Sequence, residues 1–285
     1  MAKQVILSNE VLRVEITSAG ASLTSIKKNN KELLWEGNPE VWSGQAPVLF
    51  PICGGLKDDK YIFEGKEYTL KRHGFARNSE FEIEKCDDTS AVFLLCSNEE
   101  TKKVYPFDFE FRIKYALNDN KISISYDVIN MGNGDMYYSV GSHEAYACPE
   151  GIENYSILFE CEENLIASVL KENLLQYNTN EIMKNTKELP LKKEYFAVDA
   201  LVFTDIKSRK VWLKNNTNND MIKVDFNGKD YLLLWTKPEG DYICIEPWAG
   251  LHDFEDSEYD FSAKRGIIKL NAGENRVHTH TIKFM

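Results

Sequence analysis

From Phe107 to Tyr115 every odd position is apolar and every even one is charged. Side chains of an extended chain point alternately to opposite faces, so Phe107, Phe109, Phe111, Ile113 and Tyr115 can be buried together only on a strand with one wet face. A helix would scatter the same five residues around its circumference. Beyond the turn-like Asn118, Asp119 and Asn120 the alternation resumes with Ile122, Ile124, Tyr126 and Val128, which predicts an antiparallel hairpin.

The same signal recurs along the chain. Short strands are expected at 3–8, 11–17, 22–28, 61–64, 67–71, 80–86, 91–97, 136–141, 155–160, 200–206, 210–215, 221–226, 231–236, 242–246 and 277–284. Turn residues separate them, among them Gly132 with Gly134 and the pair Asn227-Gly228, which predicts a second tight hairpin. Helical periodicity is confined to a turn or two at 99–105 and 180–186. So many strands joined by short turns predict an all-β fold, a large antiparallel β-sandwich. With no internal repeat and no low-complexity linker, residues 1–285 are expected to form a single domain.

Composition narrows the function. The formal net charge is -11 and no run of Lys or Arg interrupts it, which disfavours nucleic acid and anionic membrane surfaces as partners. Six cysteines (Cys53, Cys86, Cys96, Cys148, Cys161 and Cys244) contain no C-x-x-C pair, so a zinc site or disulfide framework is not expected. The N-terminal stretch lacks the long apolar core of a signal peptide, and no run reaches the ~20 apolar residues needed to cross a bilayer. A cytoplasmic location is the expectation. The 15 Phe, 14 Tyr and 5 Trp suit half-buried pleated surfaces and also provide flat faces for sugar rings. Walker A, G-x-S-x-G and H-E-x-x-H motifs are missing from the sequence.

Five histidines occur, at 73, 143, 252, 278 and 280. His73 precedes Gly74, which permits a tight backbone path, and His143 follows Gly141 at the end of a predicted strand. Glu246 ends the apolar run Ile243–Ile245 and precedes Pro247, Trp248 and Gly250. Partial burial there would raise its pKa toward the range of a general base. His252 neighbours the Trp248 loop and could line the same cleft. His278 and His280 alternate in the C-terminal strand and are expected to share its wet face, with no third residue suitably spaced for a metal.

In order along the chain, Gly20–Ile26, Glu32–Trp35, Pro47–Gly54, His73–Arg77, Gly141–His143, Val198–Leu201 and Glu246–Gly250 resemble the aldose 1-epimerase family, most closely its LacX-like branch. Each motif alone is weak; their order over nearly the whole chain is specific. The resemblance implies a galactose mutarotase-like supersandwich with a carbohydrate cleft on one concave sheet. It implies interconversion of the α and β anomers of a free aldose hexose by proton transfers alone, with no cofactor and no metal. By the same resemblance Glu246 is the general base at O1, His143 the general acid at the ring oxygen and His73 a supporting imidazole. Asp199 would hold sugar hydroxyls, Arg77 and Arg72 would face the cleft, and Trp248 would either stack on the sugar or support Glu246 from beneath. The expected partner is a small-molecule sugar, and the chain is expected to be a monomer or a homodimer. Two departures stand out: Glu144 replaces the proline that many relatives carry after the second histidine, and Gly55 stands where many carry arginine. A hexose-6-phosphate mutarotase and a non-catalytic sugar-binding or sensing protein are the alternatives on the same fold.

Overall fold

A computed structural model describes residues 2–218 and 220–285. The predicted hairpin is present as Phe109–Asn118 paired with Lys121–Asn130, in continuous antiparallel register through an Asp119 turn at φ 50°. Burial alternates residue by residue on both strands, as the sequence pattern requires. Fully burying each of these aromatic and branched side chains contributes about 1.5–3 kcal/mol.

This hairpin belongs to a 14-stranded sheet that curves around the molecule. One end of its path is Glu82–Cys86, next to Ser90–Cys96. The path runs through the hairpin, Asn275–Phe284, Met221–Asp225, Lys210–Asn215, Tyr155–Lys171, Leu201–Phe203 and Tyr231–Trp235. It reaches Tyr242–Ala249 and the short Val140–Gly141. A four-stranded sheet, Gln4–Ser8 to Lys31–Glu32, and two two-stranded pieces complete the architecture. The all-β, antiparallel expectation holds.

Three local expectations fail, each because tertiary pairing outweighs a local signal. Residues 180–186 are not helical; they lie in Leu174–Pro190, which pairs along Tyr155–Lys171 as a long bulged hairpin. Their helix-forming Glu, Met and Lys yield to a partner strand that sequence periodicity did not reveal beyond residue 160. Asn227-Gly228 does not close a hairpin: Met221–Asp225 pairs with Lys210–Asn215 and Asn275–Phe284, whereas Tyr231–Trp235 pairs with Leu201–Phe203 and Tyr242–Ala249. The turn instead carries the chain across the sheet and delivers the fully buried Lys229 to the interior. Third, His278 and His280 are buried, at 5% and 1% exposure, because their strand sets them opposite the core residues Tyr126 and Ile124. In this strand the threonines take the wetter face, and both faces read as polar in the sequence.

One aromatic cluster carries the segment 47–54 toward the site. Phe50 stacks on Phe111 at 4.4 Å and meets Phe109 at 5.2 Å. Its carbonyl accepts hydrogen bonds from the backbone N–H groups of Phe75 and Ala76, both at 3.1 Å, so the loop bearing His73 is tied to the core.

Candidate active site

Tyr242–Ala249 is buried at all eight positions and lies between Tyr231–Trp235 and the segment 140–147. Glu246 is therefore within a fully buried strand, not at the end of one with the partial burial expected from the sequence. Period-two alternation puts Cys244, Glu246 and Trp248 on one face. Opposite Glu246 in the ladder stands Leu233, which with Trp235 shares that face.

His143 sits between Val140–Gly141 and Glu144–Ala147, both paired with the Glu246 strand. Its Nε2 lies 3.4 Å from Glu246 Oε1, and both side chains are almost wholly buried. Trp42 stacks on the His143 ring at 5.2 Å and Trp235 meets it edge-on at 5.6 Å. Among the described residues His143 Nδ1 has no hydrogen-bond partner, and the two indoles flank the ring.

His73 arrives from a different loop. Its backbone is left-handed (φ 69°), as is that of Gly74 (φ 70°). A Cβ at Gly74 would lie 2.3 Å from the Phe50 carbonyl oxygen, so only glycine lets the loop approach this closely. The Gly54 N–H donates to His73 Nδ1 at 3.1 Å. A nitrogen that accepts cannot carry the proton, so the neutral ring bears its hydrogen on Nε2, ready to donate. The rings of His73 and His143 are 5.9 Å apart, and His73 stands edge-on to Trp248 at 5.5 Å.

All of these groups open on one cleft. Its walls bring together the residues to which the resemblance gave catalytic or binding roles: His73, His143, Glu246, Arg72, Arg77, Asp199 and Trp248. Asp199 is half-buried and accepts the N–H of Ala200. Arg72 donates to Asn173 Oδ1 at 2.7 Å, and Arg77 donates to the Arg72 carbonyl at 3.1 Å. Trp248 is 1% exposed and its indole N–H donates to the Ser142 carbonyl, so it supports the floor and offers little face for stacking. His252 also lines the cleft; its Nδ1 lies 3.0 Å from the Gly55 N–H and 2.9 Å from the Asn173 carbonyl, and can serve only one at a time. A Cβ at Gly55 would lie 3.0 Å from both the Cβ and the carbonyl oxygen of Asn173, a tight approach that needs Asn173 to give way slightly.

The sequence reading missed Trp42, Trp235, Pro47, Leu170 and Leu233. Trp235 and Leu233 were recoverable from alternation on strand 231–236 once its pairing with Glu246 is known. Trp42 lies in an irregular segment and left no periodic signal.

Burial governs the ionisation of the site. It lifts the Glu246 carboxyl well above its ordinary value; Glu144 and Asp199 add to this, while Arg72 and the nearby Trp248 indole N–H oppose it. Burial brings His143 down to about 3 and lowers His73 well below the usual imidazole range, where the neighbouring His143, Arg72, His252 and Arg77 push the same way. Glu246 and His143 are thus a close pair that favours holding one proton between them, with the neutral forms preferred in the empty cleft. His143, Cys244 and Glu246 also present possible ligand atoms within 4.8 Å of one another. Burial, and after it the nearby Glu246, raise the Cys244 thiol well above its ordinary range.

Comparison with known proteins gives a consistent answer. Residues 3–282 match the family described as aldose 1-epimerase. Protein LacX of Lactococcus lactis subsp. lactis, in plasmid and chromosomal forms, is 37% identical over 260 residues, 86% of this chain and 87% of that protein. A galactose mutarotase related enzyme from Lactobacillus acidophilus superposes with a TM-score of 0.95 at 33% identity, covering 99% of this chain and 97% of its own. A galactose mutarotase-like protein from Lactobacillus casei superposes at 0.94 with 25% identity, covering 99% and 100%. With the fold, the cleft and the match along nearly its full length in agreement, the chain belongs to the aldose 1-epimerase family.

Proposed function

We propose that this chain is a mutarotase that interconverts the α and β anomers of a free aldose hexose, acting in the cytoplasm as a single catalytic domain. The observation that carries the reading is the His143–Glu246 pair at 3.4 Å, set in a cleft beside a second imidazole, His73, whose Nδ1 accepts and whose Nε2 therefore carries the proton. The anomeric hydroxyl oxygen and the ring oxygen of a pyranose are bonded to the same carbon, so a base and an acid this close can serve both at once.

In the reactive form the pair's proton is on His143 Nε2 and Glu246 is ionised. Glu246 takes the O1 proton while His143 delivers its proton to the ring oxygen; the C1–ring oxygen bond breaks and an aldehyde forms. Rotation about C1–C2 turns the other carbonyl face, and reclosure returns both protons. Ring opening leaves a protonated carboxyl and a neutral imidazole, the state that burial favours, so the cleft stabilises charge leaving the pair. His73 Nε2–H donates to the sugar, and Asp199, Arg72 and Arg77 bind hydroxyls at the rim. A positioned acid and base each contribute about 10²–10⁴ in rate.

Polarimetry or NMR of freshly dissolved α-glucose and α-galactose tests the proposal. Wild type should accelerate equilibration, and Glu246→Gln should lose a factor of about 10²–10⁴. Sugar binding without acceleration by wild type would favour a binding or sensing protein instead. A second reading, a 6-phosphorylated aldose as substrate, draws support from Arg72 and Arg77, whose hydrogen bonds go to neutral oxygens and leave both charges available.

A further inference from the structure

Behind the catalytic strand lies a buried polar chain that the proton-transfer scheme does not use. Glu144 follows His143 directly but stands opposite Ile245 in the ladder, so its side chain points to the interior face, away from Glu246. Its Oε1 is 3.0 Å from His280 Nε2, and His280 Nδ1 is 2.8 Å from Lys229 Nζ. All three residues are at most 2% exposed. A carboxylate on one side and an ammonium on the other fix the tautomer: Nε2–H donates to Glu144 and Nδ1 accepts from Lys229. A neutral imidazole thus bridges a buried anion and a buried cation, and the Lys229 ammonium lies 4.9 Å from the centre of the Tyr126 ring.

The arrangement is costly, since each ion is removed from water and Glu144 Oε2 has no hydrogen-bond partner among the described residues. A leucine or proline at 144 would fill the same space without an ion. What the charge adds is a fixed negative centre one strand away from the catalytic carboxylate. We infer that Glu144 is an electrostatic positioning residue for the acid–base pair, a charge clamped by His280 and Lys229 that acts on Glu246 through the sheet.

The surroundings of both carboxylates support this. Facing Glu246 are His143, His73, Arg72 and Asp199 in the cleft, Cys244 and Tyr242 on its own strand, and Cys53 beneath. Of the charges in this set Asp199 and Arg72 are at the rim, of opposite sign and open to water, so the buried Glu144 is the least screened. It is the largest influence on Glu246 after burial itself, and it holds the proton affinity of the pair up. Facing Glu144 are His280, Lys229, Tyr115, Tyr126, Tyr146 and Cys244. Burial pushes the Glu144 carboxyl up, but His280 and Lys229 together bring it below its ordinary value, so it remains charged. Burial takes Lys229 down to about 7, partly offset by Glu144, so the lysine can shed its proton when its partner is neutralised.

The test separates charge from shape. Glu144→Gln keeps the outline and the bond from His280 but removes the charge; Glu144→Asp keeps the charge and shortens the reach. The titration of Glu246, followed by NMR of a carboxyl-labelled protein, is read alongside the alkaline limb of kcat/KM. Glu144→Gln should weaken proton binding at Glu246 about tenfold, moving both midpoints toward lower pH. Glu144→Asp should stay near wild type. Equal effects of the two variants, or an unmoved Glu246 midpoint in a folded Glu144→Gln protein, would overturn the inference. If Glu144→Gln does not fold, Glu144→Gln combined with Lys229→Met removes both ions and takes its place in the comparison. The rate readout rests on the mutarotase reading, whereas the NMR midpoint is measurable without turnover, so failure of one is distinguishable from failure of the other.

Discussion

A carboxylic acid in the middle of a buried strand makes opposite demands on stability and on catalysis. Because Glu246 has a folded pKa raised above its unfolded value, the ionised form destabilises the fold at any pH above the ordinary carboxylate range. Glu246→Gln should therefore raise the urea midpoint at pH 7 while slowing mutarotation about 10²–10⁴-fold, and the gain should vanish near pH 3, where the unfolded carboxyl is also protonated. The same shift fixes the pH profile. In the proposed scheme the reactive pair holds one proton, on His143, so activity is retained below the raised pKa of the pair and lost as pH rises through it and that proton leaves. The alkaline limb of kcat/KM should lie above the ordinary glutamate value of about 4.3; a limb at or below that value would remove Glu246 from the base role. His73, His143 and Glu246 were all legible as residue types in suggestive settings. Their burial was not, because it depends on strands that come from elsewhere in the chain.

At the scale of elements, the site is held by loops whose backbone leaves no freedom for substitution. Gly74→Ala would place a methyl against the Phe50 carbonyl in a left-handed conformation, which should cost about 1–3 kcal/mol and displace His73. Urea denaturation together with the KM for galactose would show it; unchanged values would mean that the loop is not tied to the core as described. The segment bearing His252 depends on a buried ion pair, Lys264 Nζ to Asp253 Oδ1 at 3.0 Å, with the lysine also donating to the Leu251 carbonyl. Asp253→Ala should cost about 3–5 kcal/mol at pH 7 by leaving a buried ammonium without its partner. Burial already lowers the Lys264 pKa, so the folded variant would hold a neutral amine while the unfolded chain stays protonated. Its stability should then recover as pH rises toward 10, the sign expected when the unfolded state binds more protons. Alternation identified most of the strands; the failures at 180–186 and Asn227-Gly228 came where the partner strand, and not the segment itself, decided the outcome.

For the whole molecule, a net charge of -11 surrounds a cleft whose rim carries Arg72, Arg77 and Asp199. A neutral hexose has no stake in that field, so its KM should not change with ionic strength. A 6-phosphorylated aldose would be repelled at long range, and its KM should fall as salt screens the repulsion. A higher kcat/KM for the phosphorylated sugar than for the free one at low salt would shift the assignment to the second reading. Among the described residues no helix is long and apolar enough to cross a membrane.

Two kinds of information met in this fold. Period-two alternation set the all-β class, the 109–130 hairpin and much of the core from sequence alone, because each strand buries one face whatever its partner. The order of short motifs did the same for family and for the residues to examine. Only the tertiary structure decided that Glu246 lies mid-strand 3.4 Å from His143, that Trp42 and Trp235 frame that imidazole, and that Glu144, His280 and Lys229 form one buried chain. These groups lie dozens of residues apart, and their chemistry depends on separation and dielectric, quantities that exist only once strands have chosen their neighbours.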